Sequence, residues 1–360
     1  MWINKNKFII DQSKNKSKSE ISNLLYKNNL YVGTESGSII CYSNYKIYDS
    51  IYFKHKFDYL ESCDINAKIT AFDFMETGGI TNLNIVSNER DVKIYEVRND
   101  LSTLDNINNI KTDKYNHNLI REFNNIHGYM CNSISLNNDN QYFISSDYLT
   151  VNLWRPDKLE GCFTLIDIKP LKHTDLVYVI NTSKFSEHLN TVFGYSTTNG
   201  EIILNDLRES TKSTKILTLS TNDLEIRDGA FKPISDFSFI NENLIISRSL
   251  NNVTLTDIRN PSSNVYKITI SETINENPSM LNSDAIYEKF KISENGKCAF
   301  TGTFGNKVYC IDLLTGKKEE IILDVKHRSV ELNKTRHVAA NKNGFFVSYG
   351  NNIYEYEEKF

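Results

Sequence analysis

The sequence predicts an all-β fold, a seven-bladed β-propeller spanning residues 1–360 as a single domain. Three observations predict it. One arrangement of residues recurs seven times in a fixed register. The segments inside each copy alternate apolar and polar residues, the pattern of a half-buried strand. A further alternating segment precedes most copies.

Trp154, at the end of "NSISLNNDNQYFISSDYLTVNLW", anchors the register, with Ser146 eight residues before it. The same spacing joins Thr34 to Tyr42 in "TESGSIICY" and Ser87 to Tyr95 in "SNERDVKIY". It joins Thr197 to Asn205 in "TTNGEIILN", Thr303 to Ile311 in "TFGNKVYCI" and Ser348 to Tyr356 in "SYGNNIYEY". "RSLNNVTLT" keeps the register from Arg248 to Thr256 but puts Arg where the other copies have Ser or Thr. Each copy reads as strand, polar turn, strand, and the turns hold Gly, Asn or Asp, which reach positive φ at low cost. A preceding strand is legible in "ITAFDFM", "NSISLNN", "VINTSKF", "ISDFSFI", "YEKFKIS" and "HVAANKN". Units of three or four strands spaced 45 to 59 residues apart describe propeller blades, which bury their faces only by stacking on neighbours. The opening "MWINKNKFII" is expected to supply the outer strand of the seventh blade. The stretch 98–126 is the longest insertion between blades.

Composition excludes several functions. A formal net charge of −4 offers no basic field for nucleic acid. No run of 18 apolar residues suggests a membrane span, and the N-terminal apolar run is too short for a signal peptide. Cys41, Cys63, Cys131, Cys162, Cys298 and Cys310 form no C-x-x-C pair and read as buried thiols in a reducing compartment. A soluble, intracellular chain follows, cytoplasmic and with the nucleus as a second location. No phosphate loop, nucleophile elbow, zinc-helix or calcium-loop motif occurs, and the seven histidines are scattered. No catalytic residue, metal site or cofactor is expected. Asp206 in "LNDLR" and Asp257 in "LTDIR" resemble a catalytic carboxylate beside an Arg, but their equal register favours a turn-holding pair.

Several stretches resemble one family, the WD-repeat B-type (55 kDa) regulatory subunits of protein phosphatase 2A. They are "FDYLESCDINAKI" (57–69), "HGYMCNSISLNNDNQYFISSDYLTVNLW" (127–154), "FTLIDIKP" (163–170), "GEIILNDLRES" (200–210), "AIYEKFKISENGKCAFTGTFGN" (285–306) and "NNIYEY" (351–356), together with the odd Arg248. The resemblance implies a non-catalytic subunit that docks on a HEAT-repeat scaffold beside the catalytic subunit and selects phosphoserine or phosphothreonine protein substrates. The substrate groove it implies holds Asp58, Tyr59, Glu61, Asp64, Lys68, Tyr129, Asp147, Tyr148 and Asp167. Of these, Asp64, Lys68, Tyr129, Asp147 and Asp167 match the family at their positions. Glu61 and Glu35 stand where the family carries Lys, so an acidic groove is expected, partly offset by Tyr148, which replaces one of two paired acids. The family's scaffold-gripping arm lies between its second and third blades. The matching stretch 98–126 is shorter and keeps apolar residues at Leu101, Leu104, Ile107, Ile110, Leu119, Ile120 and Phe123. Other WD-repeat roles, a ligase adaptor or a trafficking component, are the alternative reading, with a propeller enzyme behind them.

Overall fold

The structure, a computed structural model, describes residues 2–9, 20–43, 46–60, 62–76, 81–98, 113–114, 117–157, 162–209, 217–220, 233–261, 263–270, 288–325 and 334–358. The described chain is all-β, with seven antiparallel blades arranged as a β-propeller and one short 3-10 turn at His173–Asp175. Two compact units divide it, one holding blades 1–3 and the other holding blades 4–7 with the N-terminal strand.

In the first unit, blade 1 comprises Ile21–Lys27, Asn29–Thr34, Ser38–Ser43 and Lys46–Ile51. Blade 2 comprises Ala71–Glu76, Thr81–Ser87, Val92–Arg98 and His117–Phe123, and blade 3 Ser133–Leu136, Phe143–Ser146, Thr150–Trp154 and Phe163–Asp167. The fourth strand of blade 2 falls inside the stretch expected to be an insertion. His117–Phe123 pairs antiparallel along Val92–Arg98, and the two-residue strand Asp113–Lys114 adds in parallel to Lys46–Ile51 of blade 1. The apolar cores lie between successive blades. Val92, Ile94, Phe143 and Trp154 pack together, with the Trp154 ring stacked on Phe143 at 5.7 Å.

In the second unit, blade 4 is Ile180–Phe185, Val192–Thr197, Glu201–Asp206 and Leu217–Ser220, and blade 5 is Ile234–Phe239, Leu244–Ser249, Asn252–Asp257 and Asn264–Thr269. Blade 6 is Ile292–Glu294, Cys298–Gly302, Lys307–Asp312 and Lys318–Ile322. Blade 7 takes Val338–Asn341, Gly344–Tyr349 and Asn352–Glu358 from the end of the chain and Trp2–Ile9 from its start, as expected.

The recurring Ser or Thr has a physical job. In blade 1, Thr34 Oγ1 accepts from the Ser38 amide at 3.1 Å and donates to the Ser38 carbonyl at 2.9 Å, tying the second strand to the third. Thr197 does the same with Glu201. Gly37, in the blade 1 turn, has φ +87°, and a Cβ there would lie 2.4 Å from the Phe53 carbonyl oxygen, so only glycine fits. In blade 5 the job passes to Ser249, whose Oγ bridges to Asn252, and this frees Arg248. The Arg248 side chain is buried: Nε donates to Thr301 Oγ1 of blade 6 at 3.1 Å, Nη1 donates to the Leu250 carbonyl at 2.9 Å, and the guanidinium lies over the Phe290 ring. Its planar fork of donors suits it to join two blades.

Asp206 and Asp257 are turn-holding residues. Asp206 accepts from the Arg208 amide at 2.9 Å and from its guanidinium at 2.5 Å, and Asp257 takes Arg259 in the same way at 2.9 and 2.6 Å. Those bonds hold both carboxyls below the usual aspartate range. A second device links blades. Asp73 Oδ2 accepts from the Leu136 amide of blade 3 while Lys27 of blade 1 pairs with it at 2.5 Å. Asp236 repeats this, accepting from the Ile292 amide of blade 6 and pairing with Lys184 of blade 4 at 2.8 Å.

Candidate interaction face

In an antiparallel blade the second strand ends where the third and the next blade's first begin. In blades 1–3 the turns 34–37, 88–91 and 147–149 and the connections 52–70 and 124–132 therefore share one face. This face carries most of the residues expected to form the groove.

Its most prominent feature is a hairpin, Lys56–Asp58 paired with Cys63–Ile65. Asp58 Oδ1 accepts from the Leu60 amide at 2.9 Å, and Ser62 takes φ +51°, so the tip turns tightly. Tyr59 is 85% exposed and Leu60 97%, with the half-exposed Phe57 ring edge-on to Tyr59 at 5.0 Å. The base is held firmly. Lys56 Nζ lies 3.4 Å from Glu122 and 4.0 Å from Asp91, and Lys93 Nζ lies 3.0 Å from the same Glu122. Burial works against ionisation of Glu122, but the two lysines outweigh it and hold its carboxyl low. On the hairpin's far side, Asn66 Nδ2 donates to Glu89 Oε1 at 2.9 Å. A rigid base thus presents two bare apolar side chains.

Around the hairpin the charges are mixed. Asp64 lies 3.6 Å from His55, and Glu35 accepts from Lys68 at 2.8 Å. Glu35 is thus met by Lys68 from the connection that follows blade 1, and no uniformly acidic strip results at this point. Tyr129 and Tyr148 come together, ring centroids 6.4 Å apart, and burial raises the Tyr148 phenol above its ordinary range. Asp167 is exposed at the end of the outer strand of blade 3. Glu61 lies outside the described residues.

Asp147, expected in the groove, is buried. Its carboxylate turns inward and is 2% exposed. Oδ1 accepts from the Leu149 and Thr150 amides at 2.8 and 2.7 Å, and Oδ2 lies 3.2 Å from His127 Nδ1. His127 Nε2 is 2.8 Å from Ser145 Oγ, which accepts from Trp154 Nε1 at 2.8 Å. Burial opposes protonation of His127, but the Cys131 sulfur and the Asp147 carboxylate beside it push its pKa up to about 10. Burial likewise opposes ionisation of Asp147, and the bonds from His127, Leu149 and Thr150 hold its carboxyl below the usual range. This four-residue chain fixes the turn that displays Tyr148. The signal for it was in the sequence: one blade holds a His, a Ser, an Asp and a Trp, the polar groups a buried relay needs.

Of the apolar residues of 98–126, Leu101, Leu104, Ile107 and Ile110 lie outside the described residues. Leu119 and Ile120 are about half exposed on the outer strand of blade 2. Phe123 is already used: it packs in the core between blades 2 and 3, 4.7 Å from the Trp154 ring. Among the described residues no group of three or more His, Cys, Asp or Glu side chains could hold a metal ion, and no helix is long and apolar enough to cross a membrane.

No protein-family model matches the chain. Individual relatives do. The chain is 26% identical over 324 residues to the B regulatory subunit of protein phosphatase PP2A from Candida tropicalis, covering 81% of this chain and 63% of that protein. It is 30% identical over 227 residues to the B alpha isoform of the serine/threonine protein phosphatase 2A 55 kDa regulatory subunit from Arabidopsis thaliana, covering 61% of this chain and 44% of the relative. It therefore spans less than two thirds of the length of either. Both relatives are named as regulatory subunits. Among solved structures, Raptor of Chaetomium thermophilum superposes with a TM-score of 0.65 over 95% of this chain and 28% of its own, at 10% identity, a likeness of fold alone.

Proposed function

The chain is homologous to the regulatory B subunits of protein phosphatase 2A, and from that premise we propose that it is itself a non-catalytic regulatory subunit of such a phosphatase. In this reading it docks on a HEAT-repeat scaffold and holds phosphoserine or phosphothreonine proteins for a separate catalytic subunit. The observation that carries the reading is the similarity to regulatory subunits over most of the chain.

The hairpin 56–65 suits the substrate-holding part of the task. Tyr59 and Leu60 offer apolar surface that gains roughly 25 cal/mol per Å² when covered, and the pinned base limits the entropy lost on binding. Asp58 and Asp64 belong to its two strands, so a substrate segment carrying Lys or Arg would be favoured there by steering. The scaffold contact is assigned to 98–126, with Leu119 and Ile120 as its exposed apolar residues among those described.

Affinity purification of the tagged chain, followed by mass spectrometry, tests the proposal. A HEAT-repeat scaffold and a phosphatase catalytic chain should be recovered in comparable amounts. Recovery of ligase or trafficking components without either would replace it with the adaptor reading.

A further inference from the structure

We propose that Asn199 is a modification site of this chain, where the side-chain amide is lost by cyclisation onto the Gly200 nitrogen and an aspartate or isoaspartate is left. The inference goes beyond the phosphatase reading and does not depend on it.

The reaction needs an asparagine whose side chain can swing onto the backbone nitrogen of the next residue. It also needs a next residue that does not block the approach, and glycine, without a Cβ, leaves it open. The sequence has three Asn–Gly pairs, at 199–200, 295–296 and 343–344. The fold restrains them unequally.

Asn295 is locked through its side chain. Its Oδ1 accepts from the Lys297 and Cys298 amides at 3.2 and 2.9 Å, and its Nδ2 donates to the Asn341 carbonyl at 3.3 Å. The Gly296 amide, the attacking group of that pair, donates to Glu294 Oε2. At 343–344 the backbone is held instead. The Asn343 amide donates to Asn341 Oδ1 at 3.0 Å, and the Asn343 carbonyl accepts from the Glu358 amide at 3.1 Å. Gly344 belongs to a buried central strand, where a Cβ would lie 1.9 Å from the Tyr356 carbonyl oxygen. Ring closure onto its nitrogen would have to shift two strands.

Asn199 carries neither restraint. It is exposed in the loop 198–200, between Val192–Thr197 and Glu201–Asp206, and among the described residues it takes part in no hydrogen bond. Gly200 closes the loop at φ +82°. Its amide donates to the Thr197 carbonyl over 3.4 Å, longer than the usual range. The clasp between Thr197 and Glu201 fixes the ends of the loop and leaves Asn199 unheld.

The step balances with water as the only co-reactant. The Gly200 nitrogen bonds to Asn199 Cγ as the Cγ–Nδ2 bond breaks. The Gly200 proton leaves with Nδ2 as ammonia, and a succinimide ring results. Water then opens the ring. Breaking the N–Cγ bond leaves aspartate, and breaking the bond to the main-chain carbonyl leaves isoaspartate, with an extra carbon in the main chain. Either product adds a negative charge, and the second also lengthens the span that Thr197 Oγ1 closes onto Glu201.

Peptide mapping of the full chain by mass spectrometry, sampled over time in mildly alkaline buffer, tests the site. The exchange of NH2 for OH should accumulate at Asn199 at least about tenfold faster than at Asn295, where several hydrogen bonds must first be given up. Asn343 should also lag behind Asn199. In denaturant the three pairs should be modified at similar rates, since the fold alone separates them. Asn199→Ser, which lacks the amide, should lose the fast phase, and after ageing it should unfold at higher denaturant concentration than aged wild type. Absence of modification at Asn199 in the folded chain, faster modification at Asn295 or Asn343, or the same ranking kept in denaturant would overturn the proposal.

Discussion

Asp147 is fixed by the groups around it, with both carboxylate oxygens engaged inside the blade. Its place at a turn was legible, because "SSDYL" sits between two alternating strands. Its direction was not, because a turn residue can face either way and only its neighbours decide. Here two backbone amides and His127 claim both carboxylate oxygens. Substituting Asp147 consequently probes stability rather than substrate choice. Asp147→Ala should cost about 3–5 kcal/mol, the usual result of removing one partner from a buried pair, measured by denaturant unfolding. The pH dependence has a definite sign. His127 binds its proton more tightly folded than unfolded, so its contribution is complete below the ordinary histidine value of 6.5. That contribution is lost as pH rises from there toward about 10. Asp147 is the reverse: its contribution is present above the ordinary value of 3.8 and lost as pH falls through the depressed value. The stability difference between wild type and Asp147→Asn should therefore shrink from pH 7 to 10. A difference that stays flat over that range would mean His127 is uncharged in the folded protein. Arg248 is the counterpart case. Its departure from Ser or Thr was visible in the sequence, but not the whole reason, since some of its partners, Thr301 among them, lie in the next blade.

At the scale of elements, seven strand–turn–strand copies were legible because their central strands alternate apolar and polar residues around polar turns in one fixed register. The fourth strand of blade 2 was not. His117–Phe123 is an outer strand, mostly exposed, and half-buried at only His117, Arg121 and Phe123. Where little is buried, the period-two signal fades and a strand looks like an insertion. The hairpin 56–65 escaped detection as a hairpin for a different reason: each strand has three residues, too short for any period to register. Its stability comes from Lys56, Glu122 and Asn66, which anchor it to blade 2. That separation of base from tip makes a clean experiment. Tyr59→Ala with Leu60→Ala removes only exposed side chains, so the melting temperature should move by no more than a degree or two, as surface changes usually do. If the tip holds substrates, the assembled phosphatase should dephosphorylate them about tenfold more slowly, while subunit assembly stays intact. Unchanged rates for every substrate tested would remove the hairpin from the proposed function.

At the scale of the whole molecule, blade 7 joins the first residues of the chain to the last. Trp2–Ile9 pairs along Asn352–Glu358, from Trp2 opposite Glu358 to Ile9 opposite Asn352. The Trp2 ring meets Phe300 and Phe345 edge-on, each at 5.5 Å, and its Nε1 donates to Glu319 at 3.0 Å. Nothing local favours this pairing. It forms only between segments at opposite ends of the sequence, so its loop-closure cost is the largest in the fold and its contacts come late in folding. Once formed, it covers the outer edge of Asn352–Glu358, which would otherwise present open backbone donors and acceptors. Deleting residues 2–9 should therefore do two things. It should lower stability by on the order of 3 kcal/mol, mainly through loss of the aromatic packing of Trp2. It should also leave an edge that pairs with other chains, so light scattering should show association that grows with protein concentration. A synthetic peptide of residues 1–10 should compete for that edge and reverse both effects. Trp2→Ala separates the two contributions: it should reproduce most of the stability loss while the chain stays monomeric, because the backbone pairing survives. If the deletion variant remained monomeric and as stable as wild type, the N-terminal strand would be an accessory to the fold rather than the element that completes it.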